Sequence, residues 1–311
     1  MSYARLALPL ILLVLQLACT AQKADPDFTS PNHVPAYTGS GPVVCIDAAH
    51  NNAHTADGLY RPFAATMERD GYQVVSQDVH VASTSLSKCA VYVSVNAAGG
   101  RTYKLFGLNL PTKSRERRHL SAFSPDEIIA LRNWIERGGS ILLIADHHPF
   151  GLAASALSTA LGVEMGGGFT EAANSGASNS LDRSQLLFSR ENGLLGTHPI
   201  LSGRKAAEQI ARVQTFTGQS LRSRTGTPLL ILGDSATDYL PENGKLVSRT
   251  AFGPAQAYTV TLGKGRVVVM GEAAALTAQV DDKGNKFGMQ VAGTDNLQFV
   301  LNIMHWLSRL L

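Results

Sequence analysis

The sequence predicts an α/β domain built on a mostly parallel sheet with helices on both faces and an antiparallel hairpin near the C-terminus. Three observations carry this. Short continuous apolar runs such as Val43-Val44-Cys45-Ile46 have the character of strands buried on both faces. Polar loops and helix-period segments follow them in repeated alternation, the rhythm of crossover units. Finally, 29 glycines suit a chain with many tight strand-to-helix turns.

Taken in order, Val43–Ile46 is the first strand, and a helix from Leu59 to Arg69 follows, with Gly71 as its C-terminal cap. Strands are expected at Gln73–Gln77 and Ala90–Val95, the latter rich in β-branched and aromatic residues. A basic insertion from Arg101 to His119, with Lys113, Arg115, Arg117 and Arg118, reads as a solvated loop. The next helix has the fullest signals: Ser124 as N-cap, Pro125 at the first helical position, Glu127 closing a capping box, and Gly138-Gly139 ending it. Ser140–Ala145 is a buried strand and Gly151–Leu161 a small-residue helix, whereas Gly166–Ser180, dominated by Gly, Ser, Asn and Ala, reads as a mobile loop. Strands near Leu186–Phe188, Val213–Phe216 and Leu229–Leu232 precede a hairpin of Gln256–Leu262 and Arg266–Met270 around Gly263-Lys264-Gly265. Leu297, Val300, Leu301, Met304 and Leu307 mark a closing helix over about Asp295–Leu310, with Asp295 expected as its cap.

Composition limits the function classes. A hydrophobic share of 44% against 16% charged excludes a disordered chain, and three cysteines exclude a disulfide scaffold. A net charge of +3 from 27 basic and 24 acidic residues gives no nucleic-acid footprint. Residues 1–21 read as an export signal: a charged start at Arg5, then an apolar run from Leu6 to Leu17, too short for the roughly 20 residues of a spanning helix. Two endings fit. Leu17-Ala18-Cys19 matches a bacterial lipoprotein signal with Cys19 lipidated, despite Gln16 where that pattern usually has Leu; Cys19-Thr20-Ala21 alternatively suits ordinary cleavage before Gln22. The expected location is the periplasm or cell envelope, with a membrane attachment through Cys19, or else a secreted soluble form. Residues 22–41, with Pro26, Pro31 and Pro35, are expected to be a flexible tether, and 42–311 a single domain. Cys45 and Cys89 fit either two buried thiols or a disulfide.

In an open α/β sheet, ligands bind beyond the carboxyl ends of the strands. Three polar clusters fall there: Asp47 to His54 after the first strand, Asp146-His147-His148 after the Ser140 strand, and Glu272 after the last, with Gln279 beyond. Asp47, His50, Asp146, His147 and Glu272 are the candidate catalytic residues, and Asn51, His54, His148 and Gln279 the candidate ligand contacts. His50, Asp146 and His147 could hold a divalent metal such as zinc, or act without one as base and orienting acids. The bland reading is that Asp47 and Asp146 cap the following turns and the histidines bond loop carbonyls. His198-Pro199-Ile200 reads as a structural turn.

Ile46-Asp47-Ala48-Ala49-His50-Asn51, Gly138–Leu143, His198-Pro199-Ile200, Gly263–Val269 and Asn302–Leu307 together resemble the class I glutamine-amidotransferase-like superfamily. Within it the chain is most similar to a bacterial lipoprotein or secreted branch near the ThuA-like and gliding/intraflagellar-transport-like domains. The resemblance implies a three-layer, flavodoxin-like fold. It does not carry over amidotransferase activity, because the turn Ala145–Gly151 has neither Cys nor Ser. Two functions remain: an exported hydrolase using the Asp/His/Glu cluster on a small molecule, a glycan or glycan decorations, and a non-catalytic domain that binds a ligand or partner.

Overall fold

The computed structural model describes residues 22–31, 33–99, 102–105, 108–111, 121–172 and 183–311, with backbone alone for 102–105 and 108–111. The expected signal with Cys19, the four basic side chains of the insertion, and residues 173–180 of the expected mobile loop lie outside the described residues.

The chain begins with β1 (Lys23–Ala24) and β2 (Val43–Asp47), then α1 (Arg61–Arg69), β3 (Gln73–Gln77) and β4 (Val91–Val95). A ribbon of β5 (Thr102–Leu105) and β6 (Leu108–Pro111) follows within the insertion expected to be loop. Next come α2 (Pro125–Glu136), β7 (Ser140–Ile144), α3 (Phe150–Ala160), β8 (Glu164–Met165) and β9 (Phe169–Glu171). After β10 (Gln185–Ser189) and α4 (Pro199–Ser202) the chain forms β11 (Arg212–Phe216), β12 (Leu221–Arg222), β13 (Thr227–Ile231), β14 (Thr237–Glu242) and β15 (Lys245–Thr250). The hairpin of β16 (Ala255–Leu262) and β17 (Gly265–Met270), then β18 (Ala278–Val280), β19 (Lys286–Gly288) and α5 (Asn296–Leu307), complete it.

The main sheet has nine strands in the order β3-β2-β4-β7-β17-β16-β12-β8, with β13 also on β16. Its first five are parallel. The other four pair antiparallel; the hairpin of β16 with β17 is as expected, but β8, β12 and β13 make the sheet more mixed than the mostly parallel one expected. Along the parallel strands the side chains alternate between two cores, as the pleat requires. Val44, Ile46, Val93, Leu142 and Val268 face α1 and α5 through Phe63, Met67, Phe299 and Ile303. Cys45, Tyr92, Ile141, Leu143 and Val267 face α2 and α3 through Leu131, Ile135 and Leu157. Each such side chain contributes roughly 2 kcal/mol on burial, so both helical layers are held by the same strands.

Helices α1, α2 and α3 stop in the same way. After α1, Gly71 donates to Glu68 O and Tyr72 to Met67 O, a double closure that needs the left-handed backbone of Gly71, φ +94°. Gly138-Gly139 and Gly162-Val163 repeat the pattern after α2 and α3. The expected capping box is present: Ser124 Oγ accepts from Glu127 N and Glu127 Oε2 from Ser124 N. Asp295, by contrast, does not cap α5; its carboxylate accepts from Ala211 N and Arg212 N and ties the helix start to β11.

Residues 22–41 are not a free tether. Lys23 and Ala24 pair with Val280 and Gln279, Asp25 and Ser30 are buried, and Phe28 and Tyr37 pack on the core. The polar composition that suggested a linker is satisfied by strand pairing and by Asp70, which accepts from His33 Nε2 and Ala36 N. In the expected mobile loop, Phe169–Glu171 is ordered as an edge of the sheet β15-β14-β9. Cys45 and Cys89 form a disulfide.

Candidate active site

The loop after β2 holds the first cluster. Asp47 is sealed beneath it, accepting from Ala49 N, Asn52 Nδ2 and Ser94 Oγ as well as from His50 Nδ1 at 2.8 Å. On the other side of the ring, His50 Nε2 is 2.9 Å from Glu127 Oε1, which also receives His80 Nδ1 at 2.9 Å and Val81 N at 3.2 Å. The His50 side chain has no exposed surface, and Phe123 lies against it at 4.2 Å. Burial lowers its proton affinity, but the hydrogen bonds and charges of Asp47 and Glu127 outweigh that and raise its pKa. For Glu127 burial acts upward, and the bonds from Ser124 and His50 bring its pKa down to about 2. Asp47 and His50, expected to be catalytic, are therefore enclosed, with both nitrogens of His50 engaged.

The second cluster follows β7 and β17. Asp146 Oδ1 accepts from His147 N at 2.8 Å, and Asp146 N donates to Asn96 Oδ1. Glu272 is buried behind it, one oxygen accepting from Ala274 N and the other from Ala275 N. Burial raises the pKa of Asp146, partly countered by His147 and neighbouring donors. Glu272 is pushed up further, by burial and then by the charge of Asp146. The Asp146 side chain keeps 14% of its surface exposed and that of His147 32%. His147 Nδ1 lies 3.0 Å from His148 O; because a carbonyl only accepts, the ring donates there and leaves the Nε2 lone pair free, 3.9 Å from Asp146 Oδ1. The ring stacks on Phe169 at 4.3 Å. Gln219, which the sequence did not single out, joins these parts: its Nε2 donates to Ala145 O and Asp146 O while its Oε1 accepts from Gly167 N.

The candidate ligand contacts divide. His54 and Gln279 are buried together, their Nε2 atoms 3.3 Å apart, with Asn96 Nδ2 3.2 Å from His54 Nδ1. Burial lowers the His54 pKa to about 4, so the ring is neutral. Asn51 takes a left-handed bend, φ 53°, and His148 precedes Pro149 through a cis peptide. His198 Nδ1 accepts from Ile200 N and caps α4, as its structural reading expects.

The expected metal set of His50, Asp146 and His147 is not assembled. Among the described residues, three ligand-bearing side chains converge within 4.8 Å at His50, His80 and Glu127 instead. The position rule that found Asp47 and Asp146 would have found His80, three residues past β3; Glu127 was concealed by its sufficiency as a helix cap.

No family model and no curated protein matches this chain. Among solved structures it is similar to the N-terminal domain of mmIFT52, at 12% identity over 86% of this chain and 97% of that one, with a TM-score of 0.56. Looser likenesses include cytoplasmic protein STM1381 of Salmonella typhimurium LT2, at 11% identity, 85% and 98% coverage and TM-score 0.44. A protein described as ThuA-like from Parabacteroides merdae aligns at 10% identity, 86% and 90% coverage and TM-score 0.41. At these identities the first likeness is one of fold.

Proposed function

We propose that this chain is an exported hydrolase in which His147 and Asp146 act as base and acid on a small molecule, a glycan or its decorations. The observation that carries this is a solvent-reachable pair at the strand ends: an imidazole with its Nε2 free beside a carboxyl whose pKa is raised. His147 Nε2 takes a proton from water as the oxygen attacks the scissile carbon. Asp146 gives its proton to the departing oxygen or nitrogen, and exchange with solvent restores both. Burial disfavours the ionised form of Asp146, Glu272 is buried behind it, and Gln219 positions the Asp146 backbone.

The finer lineage belongs to this reading: a flavodoxin-like member of the class I glutamine-amidotransferase-like superfamily without the nucleophilic cysteine. The parallel strands, numbered by appearance, run 2-1-3-4-5, which supports it. Export to the periplasm or cell envelope, with Cys19 lipidated or the signal cut before Gln22, is supported by the Cys45–Cys89 disulfide, a bond favoured in oxidising compartments.

A second reading, a non-catalytic binding domain, is favoured by one observation: Glu272 is buried and turns one carboxyl oxygen to each of two backbone N–H groups, the part of a structural clamp. A panel of esters, amides and glycosides incubated with the full chain and followed by intact mass separates the two. The hydrolase reading expects product, with a loss of about 10²–10⁴-fold in Asp146→Asn and His147→Gln. Product formation unchanged in both variants overturns that assignment, and a ligand retained without conversion establishes the second reading.

A further inference from the structure

We propose that His50, His80 and Glu127 form a binding site for a divalent transition-metal ion of the zinc class, with Asp47 orienting His50 from behind. The site shares no ligand with the Asp146–His147 pair and does not rest on the hydrolase reading.

The starting point is an arrangement that a neutral imidazole cannot satisfy. Asp47 takes the Nδ1 side of His50 through both carboxyl oxygens, at 2.8 and 3.0 Å. A neutral ring with its proton on Nδ1 then presents a lone pair at Nε2, and that lone pair faces Glu127 Oε1 at 2.9 Å. A cation must lie between them, either a proton or a metal ion. The second histidine favours the metal. His80 Nδ1 approaches the same oxygen at the same 2.9 Å, and Val81 N adds a third donor at 3.2 Å, which crowds three nitrogens around one carboxylate oxygen. A metal ion accepts the His50 and His80 lone pairs together with that oxygen and removes the crowding.

The surroundings are those of a ligand set. A carboxylate on the far nitrogen of a metal-binding histidine fixes its tautomer and raises its basicity. Asp47 occupies that position and is itself held by Ser94 Oγ, Asn52 Nδ2 and Ala49 N. Glu127 Oε2 is tied to Ser124 N, so Oε1 is aimed by the start of α2. Tetrahedral zinc with nitrogen and oxygen ligands sets ligand atoms about 3.3 Å apart. The three ligand atoms here lie within 4.8 Å of one another, and the His80 side chain, 73% exposed, has room to adjust and an open path for the ion. Three protein ligands leave a fourth position for water on the side of His80.

The full chain, stripped with chelator and desalted, is titrated with Zn2+ by calorimetry and with Co2+ by visible absorption. The proposal expects one ion per chain and tetrahedral Co2+ bands. It expects Zn2+ affinity to fall at least about 100-fold in His80→Ala, a substitution at an exposed side chain, and about 10–100-fold in Asp47→Asn. Glu127→Gln, which keeps a capping-box residue at the start of α2, also loses the site, while His147→Ala retains it. Absence of stoichiometric binding, His80→Ala binding as tightly as the unmodified chain, or loss in His147→Ala each overturns the assignment.

Discussion

His50 and His147 both follow parallel strands, yet burial gives them opposite chemistry. His50 has carboxylates on both ring nitrogens and no exposed surface, whereas His147 spends one nitrogen on a carbonyl and keeps the other open. The pattern of polar residues after strands located both, but whether a side chain is enclosed depends on groups distant in sequence, such as Phe123 and Glu127. His54 shows how strongly enclosure acts. Its pKa falls from 6.5 to about 4 on folding, so between those values the unfolded chain binds a proton that the folded one refuses. Stability from this group is therefore complete above about pH 6.5 and lost progressively toward pH 4, by about 3 kcal/mol in order of magnitude. His198, also lowered to about 4 by burial and Arg266, acts in the same direction. Urea midpoints at pH 7.5 and 4.5 should converge in His54→Asn relative to the unmodified chain; an equal pH dependence in the two would contradict the reading.

Among elements, those with local signals were legible and those defined by pairing were not. The capping box and paired glycines bounded α2, and the apolar runs gave β2, β4 and β7, because each carries its cause within a few residues. The antiparallel half was obscured for physical reasons. β8 and β12 are two residues long and show no period, β15 is exposed along its whole length, and β1 exists through its pairing with β18. The same holds for the segment read as a tether, whose order depends on Asp70 at the end of α1. That carboxylate accepts from His305 Nε2 at 2.7 Å as well as from His33 and Ala36, joining α1, α5 and residues 33–36. Asp70→Ala leaves the buried His305 without its partner and should cost about 3–5 kcal/mol in urea unfolding. A loss below about 1 kcal/mol would show that the segment is held by apolar packing alone.

For the whole molecule, the α/β class and the two helical layers were readable because strands buried on both faces print continuous apolar runs on the sequence. The antiparallel strands beyond the expected β16–β17 hairpin were not, since β8 and β12 are two residues long and β13 meets β16 through register shifts. The disulfide was likewise undecided until β2 and the turn before β4 were brought together. The polar strand ends were located but their contents were divided: Asp146, His147 and Glu272 gather, while Asp47 and His50 belong to a separate enclosed cluster. With both pKa values raised, the Asp146–Glu272 pair is expected to retain a proton where isolated carboxyls have lost theirs. Carboxyl carbon-13 NMR across a pH titration, with Asp146→Asn for assignment, tests this without any knowledge of the substrate. One carboxyl of the pair should titrate well above the ordinary range near 4, and Glu272 should move downward when the charge of Asp146 is removed. Both carboxyls titrating at or below that range would contradict it.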